Sequence, residues 1–315
     1  MEAGTVYRST RATPDAGSSE RGEWRRPVGR GEWSALAPGA LEDVPREVPP
    51  ERLGRFALWT LVGLAAALAV TAPVLVDLPA ILRSADPALW LIAALAVLVD
   101  TRWFAGRQRF ATVYPSVAFT FALLLGWGVA VAVPAQALAV LVASLGRRDP
   151  AWRLVFDQAR YALSLAGAGE VLAVAGVPRI AGDVWATSGL WVSWAGRGAG
   201  AAVATVGAIV LAGVVWAAVN GLLAATASAL AFDVGWVAEL KRLGRQNGRV
   251  TLGLLALAPL VVAAGAVNPL LVLLGLVPLG VVGQHTRYTT EEARKAATDE
   301  LTGLPNRKAL YAHVQ

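Results

Sequence analysis

Residues 56–76 read FALWTLVGLAAALAVTAPVLV and contain no charged side chain. As an α-helix, this stretch would extend for about 32 Å, because each residue adds about 1.5 Å. The hydrocarbon core of a bilayer is roughly 30 Å thick. The stretch therefore predicts a helix that crosses a membrane.

The remainder of the chain repeats this apolar pattern. Hydrophobic residues make up 56% of the sequence, charged residues make up 16%, and the mean hydropathy is +0.54. This composition is typical of membrane proteins rather than of soluble domains. The absence of cysteine excludes disulfides, thiolate metal sites and cysteine nucleophiles. Further apolar stretches lie at 88–104, 113–145, 156–177, 199–231, 251–267 and 270–282.

The stretch 113–145 differs from the others in length. Its 33 residues carry no charge, which is too long for one comfortable span and too short for two spans with a turn. Gly126, Gly128 and Pro134 interrupt it near the middle. We predict a hairpin of two short helices that enters and leaves on the same side, with its broken backbone covered by protein. The alternative is one long tilted helix that is kinked at Pro134.

Lysine and arginine are unevenly divided among the segments that join these stretches. Three, three and four of them lie in 100–112, 146–153 and 232–249, whereas one, two and none lie in 77–87, 178–198 and 268–269. Because positive charge marks the cytoplasmic side, this count predicts that both termini are cytoplasmic. Arginine far outnumbers lysine and alanine is abundant, which favours a bacterial source. We predict an all-α polytopic protein of the bacterial inner membrane, with about six transmembrane helices plus the hairpin. This charge distribution does not favour a nucleic-acid partner.

Composition divides the chain into four segments. Residues 1–55 combine Pro, Gly, Ser, Arg and Glu without periodicity, which predicts a disordered cytoplasmic tail. Residues 56–283 form the predicted transmembrane domain. Residues 284–298 are rich in charge and alanine, which predicts an exposed connector helix. Residues 299–315 form the last segment.

A motif of fixed residues opens this last segment. Its first nine residues fit the pattern D-x-L-T-G-L-x-N-R at Asp299, Leu301, Thr302, Gly303, Leu304, Asn306 and Arg307. The pattern resembles the opening of a GGDEF domain, the α/β catalytic domain of diguanylate cyclases. The competing interpretation is a generic turn between two helices, which explains the glycine and the proline but not the whole set.

The resemblance implies a membrane sensor and anchor for cyclic-di-GMP signalling. It covers only the opening of the GGDEF domain, so the catalytic residues are expected beyond Gln315. The matched residues would then be structural and regulatory, and the chain itself would hold no catalytic residue, metal ligand or cofactor. GTP and Mg²⁺ are expected for the missing domain, which would act as a homodimer paired through the connector. A phosphodiesterase domain is an expected extension.

Polar residues within the predicted spans form a candidate intramembrane site, because such residues are costly in lipid. Asp157 and Arg160 lie three residues apart, and a local ion pair that lowers their burial cost is the simplest interpretation. Glu170 would either face a cavity, where it titrates or binds a cation, or lie at the outer interface within reach of water. Asn220 is suited to a hydrogen bond between helices. No metal site is predicted.

Two other functions are compatible with the sequence. A transporter would use the broken hairpin and Glu170. No internal repeat supports that interpretation, and a transporter has no need of residues 299–307. A truncated membrane remnant without an output domain would act only by binding partners. In each case the lipid bilayer is a partner, and the sequence names no signal ligand.

Overall fold

The described part of the chain in this computed structural model comprises residues 50–83, 85–103, 114–177 and 198–280. Of these residues, 91% are helical and none lies in a strand. All of them belong to one compact unit. The all-α class is therefore confirmed for this part of the chain. The connector, the GGDEF-like opening and the tail before residue 50 lie outside it.

The described residues form eight α-helices followed by a 3₁₀ segment. They are α1 (Pro50–Leu75), α2 (Leu78–Arg83), α3 (Pro87–Trp103), α4 (Val117–Trp127), α5 (Val129–Arg147), α6 (Ala151–Val174), α7 (Gly198–Phe232), α8 (Trp236–Val267) and the 3₁₀ helix Pro269–Gly275. Four of these helices are long and apolar enough to cross a membrane: α1, α5, α7 and α8. Shorter apolar helices are α3, α4 and Pro269–Gly280.

Two helix boundaries differ from the predictions. α1 begins at Pro50 rather than at residue 56, because proline suits the first helical turn and Arg52 forms a 2.8 Å ion pair with Asp233. This hydrogen bond from Arg52 lowers the pKa of the Asp233 carboxyl. α8 begins at Trp236, so most of the basic segment predicted as a loop is helical. Its charges are compatible with a helix because Glu, Lys and Arg have high helix propensity.

Apolar side chains cover much of the outer surface. Leu58 and Leu68 of α1 and Val203 and Val210 of α7 are each more than half exposed. Contiguous exposed apolar surface of this kind is unfavourable in water and suits the acyl chains of a bilayer. The surface therefore agrees with the four long apolar helices, and together they support a membrane protein.

The described part of the uncharged stretch, 114–145, contains two helices, not one helix kinked at Pro134. α4 ends at Trp127, and α5 begins at Val129 and continues through Pro134. Gly128 joins them with φ 88° and ψ −174°. Side chains with a Cβ atom disfavour this region strongly, so glycine is what permits the break.

The two helices of the hairpin run antiparallel and differ in length. Gln136 of α5 donates a 3.0 Å hydrogen bond to Ser116 and accepts a 2.6 Å hydrogen bond from Thr120 of α4. The two helices of the predicted hairpin are therefore present, but only α4 is short: it has 11 residues, whereas α5 has 19 and is long enough to cross a membrane. Every residue of α4 is buried, and the helix packs against α3, α5 and α8.

We expect Gly128→Ala to destabilise the protein by about 1–3 kcal/mol, the cost of forcing a Cβ atom into this backbone region. Reversible unfolding in mixed micelles, followed by circular dichroism, measures the change. Gly126→Ala is the matched control, because a Cβ atom at Gly126 meets nothing within 4 Å. Equal stability of the two variants would contradict the role given to Gly128.

Candidate intramembrane polar site

A buried ion pair on α6 is the centre of the site. Arg160 Nη2 lies 2.7 Å from Asp157 Oδ1, and both side chains are almost fully buried. The residues are one helical turn apart, so they lie on the same face of α6. That helix packs against α1, α5 and α7, and these neighbours exclude solvent from the pair. The predicted local ion pair is thus present in the structure.

Tyr114 connects this pair to α5. Its hydroxyl group donates a 3.1 Å hydrogen bond to Asp157 Oδ2 and accepts a 2.6 Å hydrogen bond from Arg147 Nη2. The Arg147 side chain also bonds to Asp149 at 2.9 Å. The Asp157 carboxylate therefore has a partner for each oxygen, which is what a buried charge needs.

The Arg160 guanidinium is enclosed by aromatic rings and by α7. It lies 4.7 Å from the centre of the Tyr161 ring and 5.6 Å from that of Phe156. Its Nη1 atom makes a long, 3.4 Å hydrogen bond to Asn220 Oδ1 of α7. Cation–π contacts are strongest where water is excluded, so these rings stabilise the buried charge.

A second polar group caps the short helix α4. Asp100 of α3 accepts a 2.9 Å hydrogen bond from the backbone N–H of Ser116, at the start of α4. Ser116 itself makes no capping bond with its side chain. The first N–H groups of a helix lack partners within the helix and attract negative charge. Asp100 therefore supplies from another helix the cap that α4 lacks.

The two polar groups meet in the segment that enters α4. The backbone N–H of Tyr114 donates a 3.3 Å hydrogen bond to the Tyr161 hydroxyl group of α6. Two residues later, Ser116 contacts Asp100 and Gln136. Polar side chains from α3 to α7 are thus joined near the base of the hairpin. Such connected networks rigidify a buried site.

The structure brings together three of the four predicted site residues. Asp157, Arg160 and Asn220 are in one cluster, whereas the Glu170 side chain is exposed. Glu170 is ten residues beyond Arg160, about 15 Å along the helix axis. It therefore does not join the cluster.

Sequence reasoning did not assign Tyr114, Arg147 or Asp100 to the site. Asp100 and Arg147 belong to the joining segments 100–112 and 146–153, and no spacing pattern links either residue to α6. Each of these two charges lies next to a span that is otherwise apolar, and this position is the feature that could have identified them. Charges within a membrane need partners, so charges at the ends of different spans are candidates for one shared cluster.

The cluster combines charge neutralisation with hydrogen-bond bridging. Arg147 and Arg160 neutralise the nearby carboxylates, and the tyrosines act as hydrogen-bond bridges. In the described ranges, no group of three or more His, Cys, Asp or Glu side chains could hold a metal ion. The arrangement holds helices in register and gives them a set of bonds that a conformational change would have to exchange.

The fold and the site define a helical membrane protein with a buried, charge-neutralised network. In comparisons with known proteins, the chain matches no family model, no curated protein and no solved structure. The class of helical membrane protein therefore rests on the helices and their apolar surfaces.

We expect Arg160→Met to lower the free energy of unfolding by about 3–5 kcal/mol, because it leaves the Asp157 charge buried without its cation. The double variant Arg160→Met/Asp157→Leu is expected to recover most of this loss. Unfolding in mixed micelles measures both variants.

The ion pair between Arg52 and Asp233 provides the control. Asp233 is 78% exposed, and exposed pairs contribute little to stability, so Arg52→Met is expected to have a small effect. A double variant as unstable as Arg160→Met would contradict the charge argument, since the loss would then come from packing.

Proposed function

We propose that this chain is the membrane-embedded sensory and anchoring part of a cyclic-di-GMP signalling protein. The observation that carries the proposal is the agreement of seven residues in 299–307 with the opening of a GGDEF domain. In this proposal the catalytic domain continues after Gln315, binds GTP and Mg²⁺, and works as a homodimer. The predicted connector at 284–298 carries the signal to it.

The proposal includes a topology of six spans plus the hairpin, in the bacterial inner membrane and with both termini cytoplasmic. In support, basic residues gather at one end of the bundle. Arg52 begins α1 and pairs with Asp233 beyond α7, while Phe56 packs edge-on against Trp152 at the start of α6, with ring centres 5.3 Å apart. Arg147 ends α5 nearby in the chain. Positive charge at one end favours that end as the cytoplasmic one.

The buried network favours a sensory role over simple anchoring. An anchor needs only apolar helices, and buried charges make a bundle harder to assemble in lipid. Hydrogen bonds from Arg147 through Tyr114 and Asp157 to Arg160 link α5 to α6, and the bond from Arg160 to Asn220 continues to α7. A change at one helix therefore alters bonds on the others, as a signal that crosses a bundle requires.

The first experiment measures the native protein with an immunoblot against residues 1–55 in its own host. A product much larger than 32.8 kDa is expected. Membranes from cells that express the intact gene are then expected to convert GTP to cyclic-di-GMP. A native product of 32.8 kDa, or a larger product without cyclisation, would overturn the proposal.

A substitution in the motif tests the coupling. We expect Arg307→Ala in the intact protein to reduce cyclic-di-GMP formation at least about fivefold, the lower range of allosteric coupling. Lys308→Ala is the control, because Lys308 lies next to the motif but outside it. Equal activity of the two variants would remove Arg307 from the coupling.

A transporter is the second candidate, and the buried charges between α5, α6 and α7 favour it. Polar groups within a bundle also mark substrate pathways. Vesicles that contain the protein distinguish the two functions. Uptake of a solute that follows expression, without any change in cyclic-di-GMP, would support transport and overturn signalling.

A further inference from the structure

A cavity of about 450 Å³ lies between α7 and α8, next to the polar network. This volume falls within the range of small-molecule sites in proteins. Arg160 of α6 is among its lining residues, and most of the rest of the wall is apolar or glycine. The apolar wall includes Val214, Leu222, Leu240, Leu243 and Leu252.

Two glycines on α8 leave room in this cavity. Gly244 and Gly248 are one helical turn apart, and a Cβ atom built on either meets nothing within 4 Å. Glycine within a helix costs roughly 0.5–1 kcal/mol relative to alanine. The two glycines therefore lower the stability of α8 at the place where a ligand could approach its backbone.

Two buried hydrogen-bond donors on α7 have no partner among the described residues. They are the indole N–H of Trp216 and the Nδ2 group of Asn220. Trp216 is 1% exposed, Asn220 is 6% exposed, and both line the cavity. A buried donor that lacks an acceptor costs about 1–3 kcal/mol. A ligand that brings an acceptor oxygen would remove this cost.

The charge of the cavity favours a neutral ligand. Arg160 is the charged residue in its lining, and Asp157 already neutralises that guanidinium at 2.7 Å. A carboxylate would therefore bring a buried charge without a cation of its own, which costs several kcal/mol. A carbonyl oxygen accepts the same hydrogen bonds without that cost.

The rim of the cavity indicates where a ligand enters. Val214, Leu222 and Leu252 line the cavity and are also between 41% and 56% exposed. These exposed apolar side chains suit a rim that contacts the acyl chains of the bilayer. A ligand that enters there must already be dissolved in the membrane.

We propose that this cavity binds a lipophilic molecule through a neutral carbonyl oxygen, which accepts hydrogen bonds from Asn220 and Trp216. The inference does not depend on the GGDEF resemblance, since binding is a property of the membrane bundle alone. Two sources offer this chemistry: a free lipophilic ketone or quinone, and the ester carbonyl of a bilayer phospholipid.

Photolabelling tests the site. The full chain is placed in nanodiscs of ether-linked phospholipid, which carries no ester carbonyl, and is labelled with decylbenzophenone, a neutral photoreactive ketone. Cross-links mapped by mass spectrometry are expected within 214–222 and 244–252. Gly248→Leu, which fills the open space, is expected to abolish them. Gly207→Leu is the matched control, because Gly207 also has open space at its Cβ but lies outside the cavity.

The hydrogen bonds are tested separately. Asn220→Leu and Trp216→Phe are each expected to weaken labelling by about 2- to 10-fold, the effect of one lost hydrogen bond. A Ser228→Ala variant, on the same helix and outside the cavity, is expected to label normally. If Trp216→Phe fails to fold, labelling of the Asn220→Leu variant alone tests whether the hydrogen bonds contribute to binding.

Competition identifies the ligand class and its source. An unlabelled methyl ketone is expected to displace the probe, whereas the carboxylate of the same chain length is not. Weaker labelling in ester-linked than in ether-linked lipid would identify the bilayer phospholipid as the source, and equal labelling would identify a free ketone or quinone. Labelling outside the cavity, labelling that Gly248→Leu leaves unchanged, or displacement by the carboxylate would overturn the proposal.

Discussion

The buried ion pair between Asp157 and Arg160 constrains every helix around it. A charge in the interior of a bundle is tolerated only when its partners are fixed, because separation of the pair exposes each charge to a medium that cannot solvate it. Tyr114 therefore has to be held at the entry to α4, and Asn220 has to face α6 from α7. The ring of Tyr161 fills the remaining side of the guanidinium. These contacts to the ion pair help to fix the position of the hairpin.

The hairpin brings its own constraint. α4 has 11 residues and extends for only about 16 Å, roughly half of the hydrocarbon thickness. One of its ends must therefore lie away from the water, where unpaired backbone groups are costly. Asp100 meets this need at the N-terminus by accepting the Ser116 N–H, and Gly128 meets it at the other end by allowing the chain to turn directly into α5. The packing of α3, α5 and α8 around α4 keeps its backbone away from lipid.

Apolar length was enough to predict most helices, because the membrane requires it. It was not enough for residues 236–249, because their charge favours a loop although Glu, Lys and Arg are good helix formers. Asp157 and Arg160 could be paired from the sequence, since their spacing is local. Tyr114 and Arg147 could not, because their contacts depend on how the hairpin folds back on α6. Glu170 shares that helix, but it lies about 15 Å beyond Arg160 along the axis and its side chain is exposed.

The cavity and the network share Arg160, and this sharing gives a ligand a way to act on the bundle. An acceptor that binds Asn220 Nδ2 would orient the carboxamide, whose Oδ1 atom contacts Arg160 Nη1 at 3.4 Å. That contact is long, so a small rotation of Asn220 either strengthens or breaks it. Arg160 is bonded to Asp157, and Asp157 is bonded through Tyr114 to Arg147 at the end of α5. A ligand changes the balance of two arrangements only by the difference in its affinity for them. A single hydrogen bond that exists in one arrangement and not in the other would supply such a difference, and Asn220 is placed to make it because this residue lines the cavity and also contacts Arg160.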